Sequence, residues 1–312
     1  MMKQATTARR DIHQEVTDII IRQLETGTIP WRKPWDRSKK MQEITVTLPE
    51  NGTTGSRYRG INILMLWGTF FSNGYTSPQW ASYKQWGATG QQVRKGEKAT
   101  MIVYYNTREV EKDGEIEKIP FIRFSYVFNR CQLDSYDPGV TDSTPAVDLV
   151  DRIAAADEFV THTGATVLHD GGNRAFYRHA DDSIHMPPPP LFIDTPGCSA
   201  TEGYYSTLLH ELTHWTGAPH RMARNMGKTH GDRNYADEEL VAELGAAFLC
   251  AGFGINRLDN GQHAAYIQSW LPKLKDSKYA IFTAASEASK AVDFLYQLQP
   301  HPVTETAELV EA

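Results

Sequence analysis

Cysteine is scarce: Cys131, Cys198 and Cys250 are the only three in 312 residues, and no two share a C-x-x-C spacing. That excludes a disulfide framework and suits a chain kept in a reducing cytoplasm, with the thiols as buried filler. Long apolar runs are missing too. The longest, INILMLWGTFF, is about half of what a bilayer-spanning helix needs. The opening MMKQATTARRDIHQEV lacks the apolar centre of a secretory signal. No membrane role and no export are expected, and no internal repeat is evident.

The net charge of −6 averages two unlike halves. Residues 1–140 hold 20 Lys and Arg against 15 Asp and Glu, a net of +5; residues 141–312 hold 12 against 23, a net of −11. A basic half joined to an acidic half suggests an anionic partner for the first. The competing explanation is a chance asymmetry of solvated faces.

Periodicity divides the chain at the same place. Ile12, Val16, Ile19, Ile20 and Leu24 repeat at helical spacing up to Gly27. Residues 59–73 read as a second helix, and Ser77 before Pro78 as the cap of a third. TMIVYYNTREV and IPFIRFSYVFN then alternate as two strands around a D-G turn. LDSYDPGVTDSTP has no period and reads as a linker. Beyond it come a helix over 146–162, short strand-like pieces, and helices near 200–216, 237–252, 262–275 and 278–298. The expected fold is α+β in two domains, 1–135 and 147–300, joined by a linker at 136–146 and followed by a disordered tail at 301–312.

The densest chemistry lies in LLHELTHWTGAPHR. Ser199 and Glu202 form a capping box, and Tyr204, Leu208, Leu212 and Trp215 an apolar helical stripe. On such a helix His210 and His214 stand one turn apart on one face, where both imidazoles can reach one ion. Glu211 beside them can take a proton from a metal-activated water and pass it to a leaving amine. Two unrelated core or surface histidines are the weaker explanation.

HELTHWTGAPH fits the three-histidine metzincin pattern, with His220 as third ligand. That class needs a methionine turn well downstream, and no methionine follows Met226. The competitor is DEELVAELGAAFLC, a helix expected to start at Asp237. Glu239 and Glu243 lie one turn apart on the margin of its apolar face, where a carboxylate is costly unless paired or metal-bound. Glutamate zincins place such a pair after H-E-x-x-H. On that likeness Glu239 is the third ligand and Glu243 the partner that orients a histidine, with the two roles exchangeable. Zinc is the default ion for two histidines and a glutamate with an open position; another divalent ion such as Mn2+ is compatible. DSIHMP is a candidate edge strand for a peptide substrate, and His230 and Tyr235 are weak candidates to stabilise an oxyanion.

In the basic half, five of seven tryptophans fall within the first 86 residues. Trp31 and Trp35 interleave with Arg32 and Lys33; further cations are Arg57, Arg59, Lys84, Arg94, Lys95 and Lys98. Aromatic faces stack on unpaired bases while cations follow phosphates, so the mixture suits single-stranded nucleic acid. Most tryptophans, Trp67 among them, are otherwise core residues.

PWRKPW, SRYRGINILMLW, SPQWASYKQW, QQVRKGEKAT and VFNRCQLD resemble the N-terminal domain of ArdC-type antirestriction proteins, which is also similar to that of plasmid TraC primases. HELTHWTG, YADEELVAELGAAFLCA and AAYIQSWL resemble the C-terminal zincin-like metallopeptidase domain of the same proteins. The resemblance implies a cytoplasmic plasmid protein that binds single-stranded DNA and protects incoming conjugative DNA from host restriction. A restriction-system component is then the implied protein substrate. The rival expectation is a non-catalytic protein that coats DNA and uses its metal only for structure.

Overall fold

The computed structural model describes residues 10–26, 29–31, 46–112, 115–137, 149–195, 197–227, 233–257 and 263–300. Most of the expected linker, the tail at 301–312 and the D-G turn at 113–114 lie outside them.

Helix α1 (Ile12–Glu25) opens on Asp11, whose carboxylate accepts from the Gln14 backbone N–H at 3.1 Å. Its buried residues Ile12, Val16, Ile20 and Leu24 recur every fourth position, so one face meets the core. Strand β1 (Glu50–Asn51) leads to helix α2 (Ile61–Asn73). Gly74 closes α2 with φ 64°, a conformation that suits glycine. The next helix does not start at Ser77. Gln79–Ala81 is strand β2, and α3 (Tyr83–Ala88) opens on Ser82 with a reciprocal capping box to Gln85. Burial of Trp80 decides this: its ring is fully enclosed, and its backbone pairs with Asn129. Strands β3 (Thr100–Lys112) and β4 (Glu115–Asn129) form a long hairpin in register Thr100↔Val127. The sheet order is β1-β2-β4-β3.

The second half starts with α4 (Leu149–Thr163) and a three-stranded sheet of β5 (Thr166–Leu168), β6 (Phe176–Arg178) and β7 (Ser183–His185). Its order is β5-β7-β6. β7, from DSIHMP, is therefore the central strand and not a free edge. Both its sides are hydrogen-bonded and all three residues are buried, so an added peptide cannot pair with it. Ser183, His185 and Asp170 form a hydrogen-bonded relay at 2.8 and 2.5 Å. Ser183 is only 2% exposed and its hydroxyl donates to Asp181, so the relay braces the sheet and presents no nucleophile.

Among the described residues four helices follow: α5 (Ala200–Thr216), α6 (Arg233–Phe253), α7 (His263–Asp276) and α8 (Ala280–Gln297). α6 starts a turn before Asp237, whose carboxylate pairs with Lys273 of α7 instead of capping. From Leu240 to Ala251 α6 is buried on every side, with Glu243 the one charged residue in the span. Leu240, Leu244 and Phe248 join a core that also holds Val16 and Leu24 of α1, Trp67 of α2 and Trp270 of α7. Leu249 and Cys250 face a second core with Leu208, Leu209 and Leu212 of α5. The first core thus draws on both halves of the chain. Truncating a leucine to alanine there costs about 2–5 kcal/mol.

Candidate metal centre

The capping box at the head of α5 forms in both directions. Glu202 N–H donates to Ser199 Oγ at 3.2 Å, and Ser199 N–H to Glu202 Oε2 at 3.0 Å. Leu208, Leu212 and Trp215 anchor the helix in the second core. The opposite face turns His210 and His214 together, with ring centroids 4.8 Å apart.

α6 crosses this face. Glu239 Oε2 lies 3.7 Å from His210 Nε2, and Glu239 Oε1 lies 3.5 Å from His214 Nε2. One donor atom from each of His210, His214 and Glu239 fits within a 4.8 Å spread. Both Nε2 atoms thus face the same carboxylate, while both Nδ1 atoms face away towards other acids. His214 Nδ1–H donates to Glu238 Oε1 at 3.1 Å. His210 Nδ1 lies 3.9 Å from Glu243 Oε2, beyond hydrogen-bond reach, and Arg257 binds that oxygen at 2.8 Å.

Glu238 and Arg224 form an ion pair at 2.7 Å with side chains 3% and 6% exposed. Arg224 also donates to Thr213 O and Thr216 Oγ1, both at 2.7 Å, and so ties the turn after α5 to α6. Sequence reasoning missed both residues. The only signal was the doublet Glu238–Glu239, and Glu238 falls off the i,i+4 stripe that drew attention to its neighbour.

Four glutamates surround the two imidazoles. Arg224 offsets Glu238 and Arg257 offsets Glu243, which leaves Glu239 and Glu211. Glu211 is buried, and among the described residues no hydrogen bond engages its carboxylate. Two carboxylates with no arginine or lysine partner among the described residues, and two imidazoles, suit a divalent cation of the zinc or manganese type. Protonation shows the same demand. Burial alone would lower His214, but the hydrogen bond to Glu238 and the neighbouring carboxylate of Glu239 outweigh it and raise the ring to about 10. Burial pushes Glu239 up, yet the two imidazoles beside its oxygens hold it well below the usual carboxylate range. An imidazolium thus stands where a cation fits.

His220 lies elsewhere. Its Nε2 is 3.2 Å from Asp182 Oδ2 and its side chain is exposed. Gly217 ends α5 with right-handed geometry, and Arg221 stacks on Trp215 at 3.7 Å. Tyr235 lies on α6 against Gly227, and His230 is outside the described residues.

Of the cations expected to meet DNA, Arg57, Lys84, Lys95 and Lys98 are exposed. Arg59 is exposed but pairs with Asp293 of α8. Arg94 is 40% exposed at its side chain and also donates to Glu97, to Leu133 O at 2.8 Å and to Cys131 O at 2.6 Å, bracing the loop before β3. Trp31 corrects the expectation. It is 3% exposed with its ring 5.5 Å from Trp270, a core position without a free face. Arg32, Lys33 and Trp35 lie outside the described residues.

Residues 10–128 match the family described as the N-terminal domain of anti-restriction factor ArdC, and residues 154–287 match a zincin-like metallopeptidase family. The metal-free crystal structure of antirestriction protein ArdC from plasmid R388 shares 42% identity, covers 93% of this chain and 98% of its own, and superposes with a TM-score of 0.73. The chain belongs to the ArdC antirestriction family. The Mn(II)-bound structure of the R388 protein shares 39% identity over the same proportions, with a TM-score of 0.71. Two DNA primases TraC of Escherichia coli are 36% and 35% identical over 95% of this chain, which spans only 28% and 20% of their lengths. The protein y4eC of Sinorhizobium fredii (strain NBRC 101917 / NGR234) is 35% identical, with 92% of its length covered. Among the described residues no helix is long and apolar enough to cross a membrane.

Proposed function

We propose that this ArdC-family chain binds single-stranded DNA through its N-terminal half and works as a zinc-dependent peptidase through its C-terminal half. Together these protect incoming plasmid DNA from host restriction in the cytoplasm. The observation that carries the reading is the pair of Nε2 atoms facing the two oxygens of Glu239, with Glu211 left unengaged beside them. In this reading His210, His214 and Glu239 hold the ion, and zinc is the preferred occupant. When bound, the ion supplies Lewis acidity at an open coordination position. Glu211 takes the proton of the attacking water at its carboxylate and returns it to the leaving amine. Glu238 holds His214 with Nε2 forward, and Arg224 keeps Glu238 ionised while buried. On the N-terminal side, Arg57, Lys84, Lys95 and Lys98 are the exposed cations for phosphates, and Mn2+ remains a competing occupant of the centre.

The test is Glu211→Gln. It should bind metal as the parent does and lose antirestriction in cells by about 10²-fold or more. Undiminished antirestriction with the metal retained would show a DNA-coating protein whose ion is structural.

A further inference from the structure

Three tyrosines stay exposed around the start of α1. Tyr126 on β4 is 43% exposed, Tyr105 on β3 56%, and Tyr279, just before α8, 52%. The hairpin register puts the first two on one face of the sheet. Tyr126 stands opposite Met101, Phe124 opposite Val103 and Ile122 opposite Tyr105, and residues two apart on a strand point the same way. The row of Tyr105 thus lies about 13 Å along the hairpin from the row of Tyr126, at about 3.3 Å per residue.

The rings are held in place by the protein. Tyr126 Oη accepts from Arg10 Nη1 at 3.3 Å, and its ring lies edge-to-face with Phe124 at 5.7 Å. Tyr105 Oη meets His13 Nε2 at 3.3 Å, and the His13 ring packs edge-to-face with Tyr279 at 4.8 Å. Oriented rings lose little freedom when a ligand lands on them. Cations alternate with them. Lys98 lines one cleft with Tyr126 and is exposed, with no acidic partner among the described residues. Arg10, paired with Glu15, lies 4.6 Å over Phe124, in the row between the two tyrosines. Lys278, paired with Asp11 at 2.5 Å, stands 5.3 Å from the centre of the Tyr279 ring. Single exposed aromatics are ordinary. Three of them interleaved with three cations around one helix start match the alternation of base and phosphate in a single strand.

We propose that Tyr126, Tyr105 and Tyr279 form one stacking track for the unpaired bases of a single strand, so that the second half of the chain shares in holding the DNA. The proposal rests on the single-stranded DNA reading above and extends the surface across the junction of the two halves. Stacking needs no base edge, so the track reads no sequence. A duplex hides its base faces and has nothing to offer the rings.

The experiment is a fluorescence anisotropy titration of the full chain with a labelled thymine dodecamer, and with a duplex of the same length, over several salt concentrations. Tyr126→Ala, Tyr105→Ala and Tyr279→Ala should each weaken binding to the single strand about fivefold or more. The salt slope should stay at the parent value, because no phosphate contact is removed, whereas Lys98→Ala should lower it by about 0.7. Each tyrosine to phenylalanine variant keeps its π-face and should bind within about twofold of the parent, which separates stacking from loss of the hydroxyl contacts. Duplex affinity should not respond to any of the tyrosine variants. Parental single-strand affinity in Tyr279→Ala overturns the proposal, as do equal losses on duplex and single strand. Either result leaves the single-stranded DNA reading standing. A parent chain that binds no single strand at low salt overturns that reading and this one with it.

Discussion

His214 Nδ1 stands 3.1 Å from Glu238 Oε1, while the Nε2 of the same ring faces Glu239 at 3.5 Å. Two neighbouring residues of one helix thus address opposite edges of one imidazole. Glu239 meets the edge that would bind the ion, and Glu238 fixes the tautomer that leaves Nε2 free.

Glu238→Gln should therefore keep the fold and weaken metal affinity by about 10–100-fold. Glu238→Ala should do more, because it also strands the buried guanidinium of Arg224, at a cost of about 3–5 kcal/mol. Competition with a chelator and urea unfolding read the two effects separately. His220→Ala should move neither, since His220 bonds Asp182 on the surface. Equal metal loss in His220→Ala and Glu239→Ala would overturn the ligand set.

The pH dependence of the metal-free chain has a definite sign. His214 is raised from 6.5 to about 10, so its contribution to stability is complete below 6.5 and is lost as pH climbs through about 10. Glu239 is depressed below its ordinary 4.5, so its contribution is complete above 4.5 and is lost as pH falls through its low folded value. The melting temperature of chelator-treated protein should decline from pH 6.5 to 10. That decline should vanish in His214→Ala. Metal uptake must displace the His214 proton, so affinity should rise about tenfold per pH unit over the same window. A flat affinity profile would contradict the protonation described.

Trp31→Ala should behave as a core truncation and cost about 3–5 kcal/mol in urea unfolding. Affinity of the folded fraction for a thymine oligonucleotide should stay unchanged. A large affinity loss without destabilisation would return Trp31 to the stacking surface.

The exposed lysines should set the salt response. Removing Lys84, Lys95 and Lys98 together should reduce the slope of log affinity against log salt by about two, at roughly 0.7 per phosphate contact on a single strand. Arg94→Ala should leave that slope alone and loosen the loop before β3, because its guanidinium binds Glu97 and two backbone carbonyls. Titrations at four salt concentrations distinguish the two.

The amino-acid sequence by itself determined whatever depends on local spacing. His210 and His214 share a face because four residues make about one helical turn. The capping box of Ser199 and Glu202 and the hairpin of β3 and β4 were legible for the same reason: their partners lie within a few residues or in one continuous register. Tertiary structure decided whatever joins distant segments. It placed Trp31 against Trp270 and tied the guanidinium of Arg94 to Glu97 and two backbone carbonyls. It set β7 between β5 and β6, and aimed Arg224 at Glu238 behind His214. A tryptophan or an arginine looks the same in sequence whether it meets solvent or core, because burial depends on the elements that pack over it. Glu239 shows both sides. Its position on a helix margin was local, but only the crossing of α6 over α5 brought its two oxygens to two imidazoles.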